Sequence, residues 1–373
     1  MLLAGPSADR ARELVRGIAD TLRTTTIPNE DLAGVALFWA YAAGIWDELS
    51  VAYETAIDRL VERVGQAYST QRLYGGLVGD GWVIAHVASD ASELLALIDD
   101  ALLQTVAVPR WERLYDLSSG LAGIALYFLE RMRGESPGVS REALGHVVRH
   151  LAAACERDPL GCWWSTRPEL LSTEERTVAP NGRIDLGLAS GNAGVIAVLA
   201  RIAEHDAAVK PLLAAASRWL WAQQLPPRPH ARFASSLVGG AAIEPVRTAW
   251  CESDLGTGVA LWSAARVIDG STAAPRELLR EVAMRSPTQC KIVDSSMCHG
   301  ALGLAHILDR CFAATGDPMF ARTARDWYER ALGLPVPDST ALLDGMVGVG
   351  LGWMAAIDAA EPGWNRLFVC EVG

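Results

Sequence analysis

The feature of this chain that most constrains its fold is a repeated Gly-x-x-Gly pattern, each copy leading into a run of apolar and small residues. Besides five clean copies of the pattern, a sixth copy carries Ser253 in place of its first glycine, and a degenerate copy near the start of the chain contains Gly34. The second glycines fall at positions 34, 79, 123, 194, 256, 303 and 348. Most intervals are 44 to 47 residues, the length of one helical hairpin, and two longer intervals contain insertions. The five clean copies begin at Gly76, Gly120, Gly191, Gly300 and Gly345.

The segments that follow these glycines predict buried helices. Residues 124–132 and 195–202 are apolar nearly all round, whereas the intervening segments 141–155 and 320–332 are amphipathic. No segment shows a convincing strand alternation. The pattern therefore predicts an all-α protein, an α/α toroid in which about seven hairpins form an inner and an outer ring. We expect residues 1–373 to form a single domain.

Composition excludes some classes of function. The chain has 33 Lys and Arg against 44 Asp and Glu, a net charge of −11, which argues against a nucleic-acid partner. No apolar run approaches the roughly 20 residues of a membrane span, and the first 23 residues lack a signal-peptide core. Seven cysteines without a small-domain framework favour a reduced compartment, so we expect a cytoplasmic protein. The expectation for Cys155, Cys162, Cys290, Cys311 and Cys370 is that they are buried or unreactive.

Two cysteines and a histidine suggest a metal site. Cys251 is followed 47 residues later by the pair Cys298-His299, and each cysteine lies two residues before the first glycine position of its repeat. Consecutive hairpins of a ring are neighbours, so this spacing predicts that the three side chains meet. Two thiols and one imidazole are a three-ligand zinc set that leaves one coordination position open for chemistry.

Three further residues are predicted near the same end of the helices. Asp116 lies four residues before Gly120, Arg247 lies four residues before Cys251, and Trp250 directly precedes it. Structural roles are open for each of them. Asp116 could be a helix N-cap, Arg247 could be a surface ion-pair partner, and Trp250 could belong to the core.

In these residues the chain resembles the lanthionine synthetase C-like family, the cyclases of class I lanthipeptide biosynthesis. The likeness covers nearly the whole chain through its repeats, and its most specific parts are Trp250-Cys251, Cys298-His299-Gly300 and Tyr115-Asp116. It implies an α/α toroid with one zinc ion bound by Cys251, Cys298 and His299. It also implies that peptide cysteines are added to dehydroalanine or dehydrobutyrine residues that a separate dehydratase has made.

The resemblance also implies roles for the neighbouring residues. Arg247 matches the family's arginine and would stabilise the developing enolate, while Asp116 matches its acid and would orient or deprotonate the incoming thiol. We expect Trp250 and Ser190 to contact the substrate. Partners would be the dehydrated precursor peptide and, further, a dehydratase and an exporter.

One departure from the family pattern affects proton transfer. The chain reads Gly187-Leu-Ala-Ser190-Gly191, where the family usually has a histidine in place of the serine. Serine does not donate a proton at neutral pH as readily as imidazole does. Glu252 and His230 are the nearest titratable substitutes. The departure leaves two alternatives open beside a cyclase: a non-catalytic peptide-binding scaffold that keeps the metal, and a relative that adds glutathione to dehydrated residues.

Overall fold

The computed structural model describes residues 3–65, 70–88, 90–134, 137–358 and 362–372, and it is mainly helical. Within these residues the α-helices in chain order are α1 (Gly5–Thr24), α2 (Leu32–Ile45), α3 (Ser50–Val64), α4 (Leu77–Val87), α5 (Ser92–Val106), α6 (Leu121–Arg131), α7 (Pro137–Ala154), α8 (Thr173–Val178), α9 (Asn192–Ala203), α10 (Lys210–Ala222), α11 (Asp254–Ile268), α12 (Ala273–Ala283), α13 (Pro287–Cys290), α14 (Ala301–Thr315), α15 (Pro318–Ala331) and α16 (Met346–Ile357).

The glycine repeat predicts where the buried helices begin. In seven of the described helices the second repeat glycine is the third residue, from Gly34 in α2 to Gly348 in α16. These helices are buried on most sides, and in α16 every residue is buried. The predicted series of buried helices is therefore confirmed. The seven helices are α2, α4, α6, α9, α11, α14 and α16.

The helices between them bury one face only. In α15 the buried residues include Phe320, Ala324 and Trp327, which recur at helical spacing, and the opposite face carries charges. The same holds for α7, where Leu144, Val147 and Leu151 are buried. The predicted alternation of buried and half-buried helices is confirmed.

The chain divides into two compact units. In the unit formed by Met1–Ile98 and Ile292–Phe368, α14 packs against α15 and α16, α16 packs against α1 and α2, and α2 packs against α3 and α4. In the unit formed by Asp99–Lys291 and Val369–Val372, α9 packs between α6 and α11, with α7, α10 and α12 alongside. Inside each unit, buried helices of consecutive repeats are thus neighbours. That residues 1–373 form a single domain stays a prediction.

Short strands occupy the insertions, where the sequence predicts none. β1 (Glu156–Asp158) pairs antiparallel with β2 (Gly161–Trp163), and β3 (Arg183–Asp185), β4 (Ser236–Val238) and β5 (Ala241–Ile243) form an antiparallel sheet in that order. Each strand has three residues, which is too short for a period-two pattern to be visible. None of the helices described is long and apolar enough to cross a membrane.

Candidate metal and catalytic site

A three-residue turn precedes the N-cap residue of six buried helices. The first residue of most of these turns is held by the second repeat glycine. At Gly256 a Cβ atom would overlap the carbonyl oxygen of Trp250, and at Gly303 it would overlap that of Met297. Because only glycine lets this carbonyl approach, the backbone of the turn is fixed against the start of its helix. The turns comprise residues 73–75, 117–119, 188–190, 250–252, 297–299 and 342–344.

Backbone hydrogen bonds join the middle residues of consecutive turns within each unit. The Ser118 amide donates to the Ala189 carbonyl over 3.0 Å, and the Ala189 amide donates to the Cys251 carbonyl over 3.0 Å. In the other unit the Cys298 amide donates to the Leu343 carbonyl over 2.8 Å. Within each unit, the turns joined by these bonds therefore lie side by side with their middle residues in register.

The two candidate zinc cysteines occupy the same place in their turns. Cys251 and Cys298 are both middle residues, neither forms a disulfide, and both are partly exposed. His299, the third residue of its turn, is also partly exposed, and its Nε2 lies 3.6 Å from Oδ2 of Asp294. The glycine-fixed backbone thus presents each thiol at an equivalent position relative to its helix.

The three candidate ligands are divided between the two units. Cys251 belongs to the unit containing Asp99–Lys291, whereas Cys298 and His299 belong to the unit containing Ile292–Phe368. Across the described part of the chain, no three His, Cys, Asp or Glu side chains gather closely enough to hold a metal ion. The donor types, two accessible thiols and an imidazole, nevertheless suit zinc chemically.

Ser190, where the sequence departs from the family pattern, occupies the third position of its turn. Ser190, Glu252 and His299 are the third residues of their turns, and Ser190 is exposed. In the unit that contains Cys251, neither Ser190 nor Glu252 carries an imidazole at this position. A hydroxyl at position 190 can form a hydrogen bond but is a poor acid.

Asp116 is a buried carboxyl group with a raised pKa. It is 4% exposed, and its Oδ1 accepts a hydrogen bond of 2.8 Å from the Ser119 amide. Burial, with a smaller contribution from the charge of Asp185, raises the pKa of Asp116 to about 6 against the opposing effect of amide hydrogen bonds. The N-cap residue of α6 is Gly120. Asp116 therefore stabilises the turn before the helix and does not cap the helix itself.

The structure also reveals a charged cluster beside this turn that the sequence analysis missed. Asp185 ends β3, its Oδ2 accepts a 2.8 Å hydrogen bond from Nε of Arg183, and Arg183 also pairs with Glu175 over 2.9 Å. Burial raises the pKa of Asp185, whereas Arg183 opposes this. One feature of the sequence could have indicated Asp185. It lies six residues before Gly191, just as Arg247 lies six residues before Ser253.

The structure gives Arg247 and Trp250 different environments. Arg247 is half-buried in the segment that leads from β5 to the turn of Cys251. Trp250 is 1% exposed and is the first residue of that turn. Its burial gives the indole a packing role in the core, and its contact with substrate stays a prediction.

In one repeat Ser253 replaces the first glycine, and its side chain forms hydrogen bonds that the other copies lack. In other copies a Cβ atom at this position would approach the backbone four residues earlier, as at Gly120, where it would lie 2.6 Å from the Asp116 nitrogen. At Ser253 the side chain bonds that same backbone instead. Its Oγ accepts from the Ala249 amide and donates to the Ala249 carbonyl, both over 2.8 Å.

Comparison with known proteins agrees with this architecture. The sequence model of the lanthionine synthetase C-like protein family matches residues 31–369. The chain therefore belongs to the lanthionine synthetase C-like protein family. Among solved structures it is similar to one titled nisin cyclase, with a TM-score of 0.76 and 20% sequence identity, over 96% of this chain and 97% of that chain. This likeness confirms the predicted all-α, α/α toroid fold. A comparison with curated protein sequences gives no match.

Proposed function

We propose that the protein is a zinc-dependent lanthipeptide cyclase. It would add cysteine thiols of a dehydrated precursor peptide to dehydroalanine or dehydrobutyrine residues and so form thioether rings. Membership of the lanthionine synthetase C-like protein family supports this activity. The observation that carries it is the equivalence of Cys251 and Cys298, which are middle residues of turns with the same glycine-fixed backbone.

The proposed ligands of the single zinc ion are Cys251, Cys298 and His299. Within each unit, hydrogen bonds join the middle residues of consecutive turns, and Cys251 and Cys298 are the middle residues of consecutive turns. The equivalent places of the two thiols in their turns and membership of the lanthionine synthetase C-like protein family support a shared ion. A bound zinc ion would supply Lewis acidity that favours the ionised form of the substrate thiol, the form that acts as a nucleophile.

The residues of the chain would handle charge and protons. Asp116 has a pKa near 6, so it is mostly ionised at neutral pH and can accept the thiol proton. Arg247 would place a positive charge near the enolate oxygen that develops as the carbon–sulfur bond forms. Ser190, exposed in its turn, would donate a hydrogen bond to the peptide, and Trp250 would line the same place.

The partners follow from the chemistry. The precursor peptide must already be dehydrated, so a separate dehydratase has to act before this protein. We propose that the cyclase works in the cytoplasm alongside that dehydratase and an exporter of the finished peptide.

Ser190 favours a second candidate, a non-catalytic scaffold that binds the dehydrated peptide and retains the metal. An imidazole is absent from the place where the family usually has one. Without another proton carrier, a peptide could bind without being cyclised.

Cyclisation of a defined dehydrated peptide, combined with metal analysis of the protein, tests these proposals. For a cyclase we expect about one zinc per chain and loss of the peptide's free thiols without a change in peptide mass. A matched peptide with alanine in place of cysteine controls for thiol loss by other routes. Bound zinc with no acceleration over buffer would favour the scaffold, and a mass increase after addition of glutathione would favour the glutathione-adding relative.

A further inference from the structure

Asp185 occupies the position in its repeat that Arg247 occupies in the next one. The residue six places before the first repeat glycine lies at the start of the helix that follows. In the repeat of Gly120 this residue is Leu114, and its carbonyl accepts a 3.2 Å hydrogen bond from the amide of Leu121, the first residue of α6. The Asp185 carbonyl is held at the same place by Nδ2 of Asn192, the first residue of α9, over 2.8 Å. Asp185 and Arg247 therefore hold equivalent sequence positions before neighbouring turns of one unit.

The segment that carries Asp185 lies against the turn of Asp116. Both the amide and the hydroxyl of Ser118 donate to the Ala189 carbonyl over 3.0 Å, which fixes the turn after β3 beside the turn after Asp116. The side chain of Asp185 is 15% exposed, and Arg183 holds its carboxylate in one orientation. Its negative charge acts on Asp116 and also on the buried Tyr115. Two carboxylates of different exposure thus lie within electrostatic range of each other.

We propose that Asp185 is a positioning residue of the cyclase site, acting through Asp116 so that this carboxyl pair performs the proton transfer for which residue 190 offers no imidazole. The inference rests on the proposed function. In the reaction, the substrate sulfur forms a bond to the β-carbon while the carbon–carbon π bond breaks and its electrons form an enolate. Asp116 takes the thiol proton and returns it to the α-carbon, so all atoms and electrons are retained.

Asp185 would assist this transfer because an adjacent negative charge makes Asp116 a stronger base. The charged and titratable groups around the pair lie in the same unit. Asp185 acts on Asp116, and Arg183 and Glu175 act on Asp185. Tyr115 donates its hydroxyl proton to the Trp164 carbonyl, and burial raises its pKa far above neutrality, so it stays neutral.

The pH dependence of ring closure tests the inference. Asp116 must be ionised to accept a proton, so the rate should rise with pH through an acidic limb near pH 6. Asp185→Asn removes a charge that raises the pKa of Asp116, and the limb should therefore move to lower pH. Because Asp116 is then a weaker base, kcat on the plateau should fall by up to about threefold with KM little changed.

Two further variants separate this effect from damage to the fold. Asp185→Glu keeps the charge and should restore most of the rate and the original limb. Glu175→Gln also removes a partner of Arg183, but Glu175 is not among the groups that act on Asp116, so the limb should stay in place.

A direct titration provides a readout that does not need turnover. Carboxyl carbon NMR of aspartate-labelled protein, with Asp116 assigned by comparison with Asp116→Asn, should show a lower pKa for Asp116 in Asp185→Asn. An unmoved Asp116 titration together with an unmoved acidic limb in a folded, active Asp185→Asn variant would overturn the inference alone. Wild-type protein that binds the dehydrated peptide and forms no ring at any pH would overturn the proposed function, and this inference with it.

Discussion

The turns 297–299 and 342–344 have nearly the same backbone and entirely different chemistry. Both precede a glycine N-cap, both are held by a glycine at the third position of the following helix, and a 2.8 Å hydrogen bond joins their middle residues. The first offers Cys298 and His299, and the second offers Leu343 and Asp344. The glycines thus fix the turn, and the middle and third residues are left to carry function.

The largest expected effect comes from removing a proposed ligand in one turn while changing the equivalent residue in the other. Cys298→Ala should lose zinc and ring formation together and leave the helices intact, because a zinc set reduced to two protein ligands binds weakly. Leu343→Ala, the matched control, should keep the metal. Metal analysis and circular dichroism of both variants provide the measurement. Full zinc occupancy in Cys298→Ala would show that the ligand assignment is wrong.

A smaller effect is expected when only the carboxyl group of Asp116 is removed and the backbone of its turn is kept. Asp116→Asn should retain zinc and lower the rate of ring closure by about 10²- to 10⁴-fold, the usual contribution of a positioned proton-transfer group. The amide oxygen of the substituted side chain can still accept from the Ser119 amide, so stability should change little. Rate measurements at saturating peptide test this, and unchanged ring closure would leave Asp116 with only its role in the turn.

Whether the repeat glycines fix the backbone of the turns can be tested with two glycines of one unit. Gly256→Ala would bring a Cβ atom onto the Trp250 carbonyl and within 2.8 Å of the Leu188 Cβ, and should destabilise the protein by about 1–3 kcal/mol. Gly145 is exposed in α7, and an added Cβ atom there would meet nothing within 4 Å. Gly145→Ala should therefore stabilise the helix by about 0.5–1 kcal/mol. Urea unfolding of the two variants measures the difference in their free energies of unfolding. Equal stability of the two variants would mean that Gly256 is not needed to admit the Trp250 carbonyl.

The sequence was sufficient to predict the buried helices because their starts depend on steric exclusion at single positions. A glycine that admits a carbonyl, such as Gly303, is visible in the sequence and recurs with the period of the hairpin. The small sheets were missed because three-residue strands carry too short a pattern. That six of the seven candidate site residues belong to or border the turns, with Arg247 three residues before one, was predictable, whereas the ligand set and the catalytic roles stay predictions.

Other properties depend on contacts that no linear pattern reveals. Cys155 was expected to be buried or unreactive, but it is partly exposed, and a hydrogen bond from Cys162 lowers the pKa of its thiol, with Arg157 assisting. The antiparallel register of β1 and β2, in which Arg157 pairs with Cys162, produces this contact. Asp185 was missed for a similar reason, since its influence on Asp116 depends on the hydrogen bonds between two turns.

The smallest expected effect concerns the third position of the turn 188–190. Ser190 is exposed, so Ser190→Ala should leave the fold and the zinc content unchanged and remove at most one hydrogen bond to the peptide. Such a bond contributes about 0.5–1.5 kcal/mol, which corresponds to a KM raised roughly twofold to tenfold at unchanged kcat. Steady-state kinetics of Ser190→Ala would measure the separate effects on KM and kcat, with Ala189→Gly as a neighbouring control that preserves the hydroxyl. A fall in kcat comparable to that of Asp116→Asn would show instead that the Ser190 hydroxyl takes part in proton transfer, and that the third position of this turn is catalytic despite the loss of its imidazole.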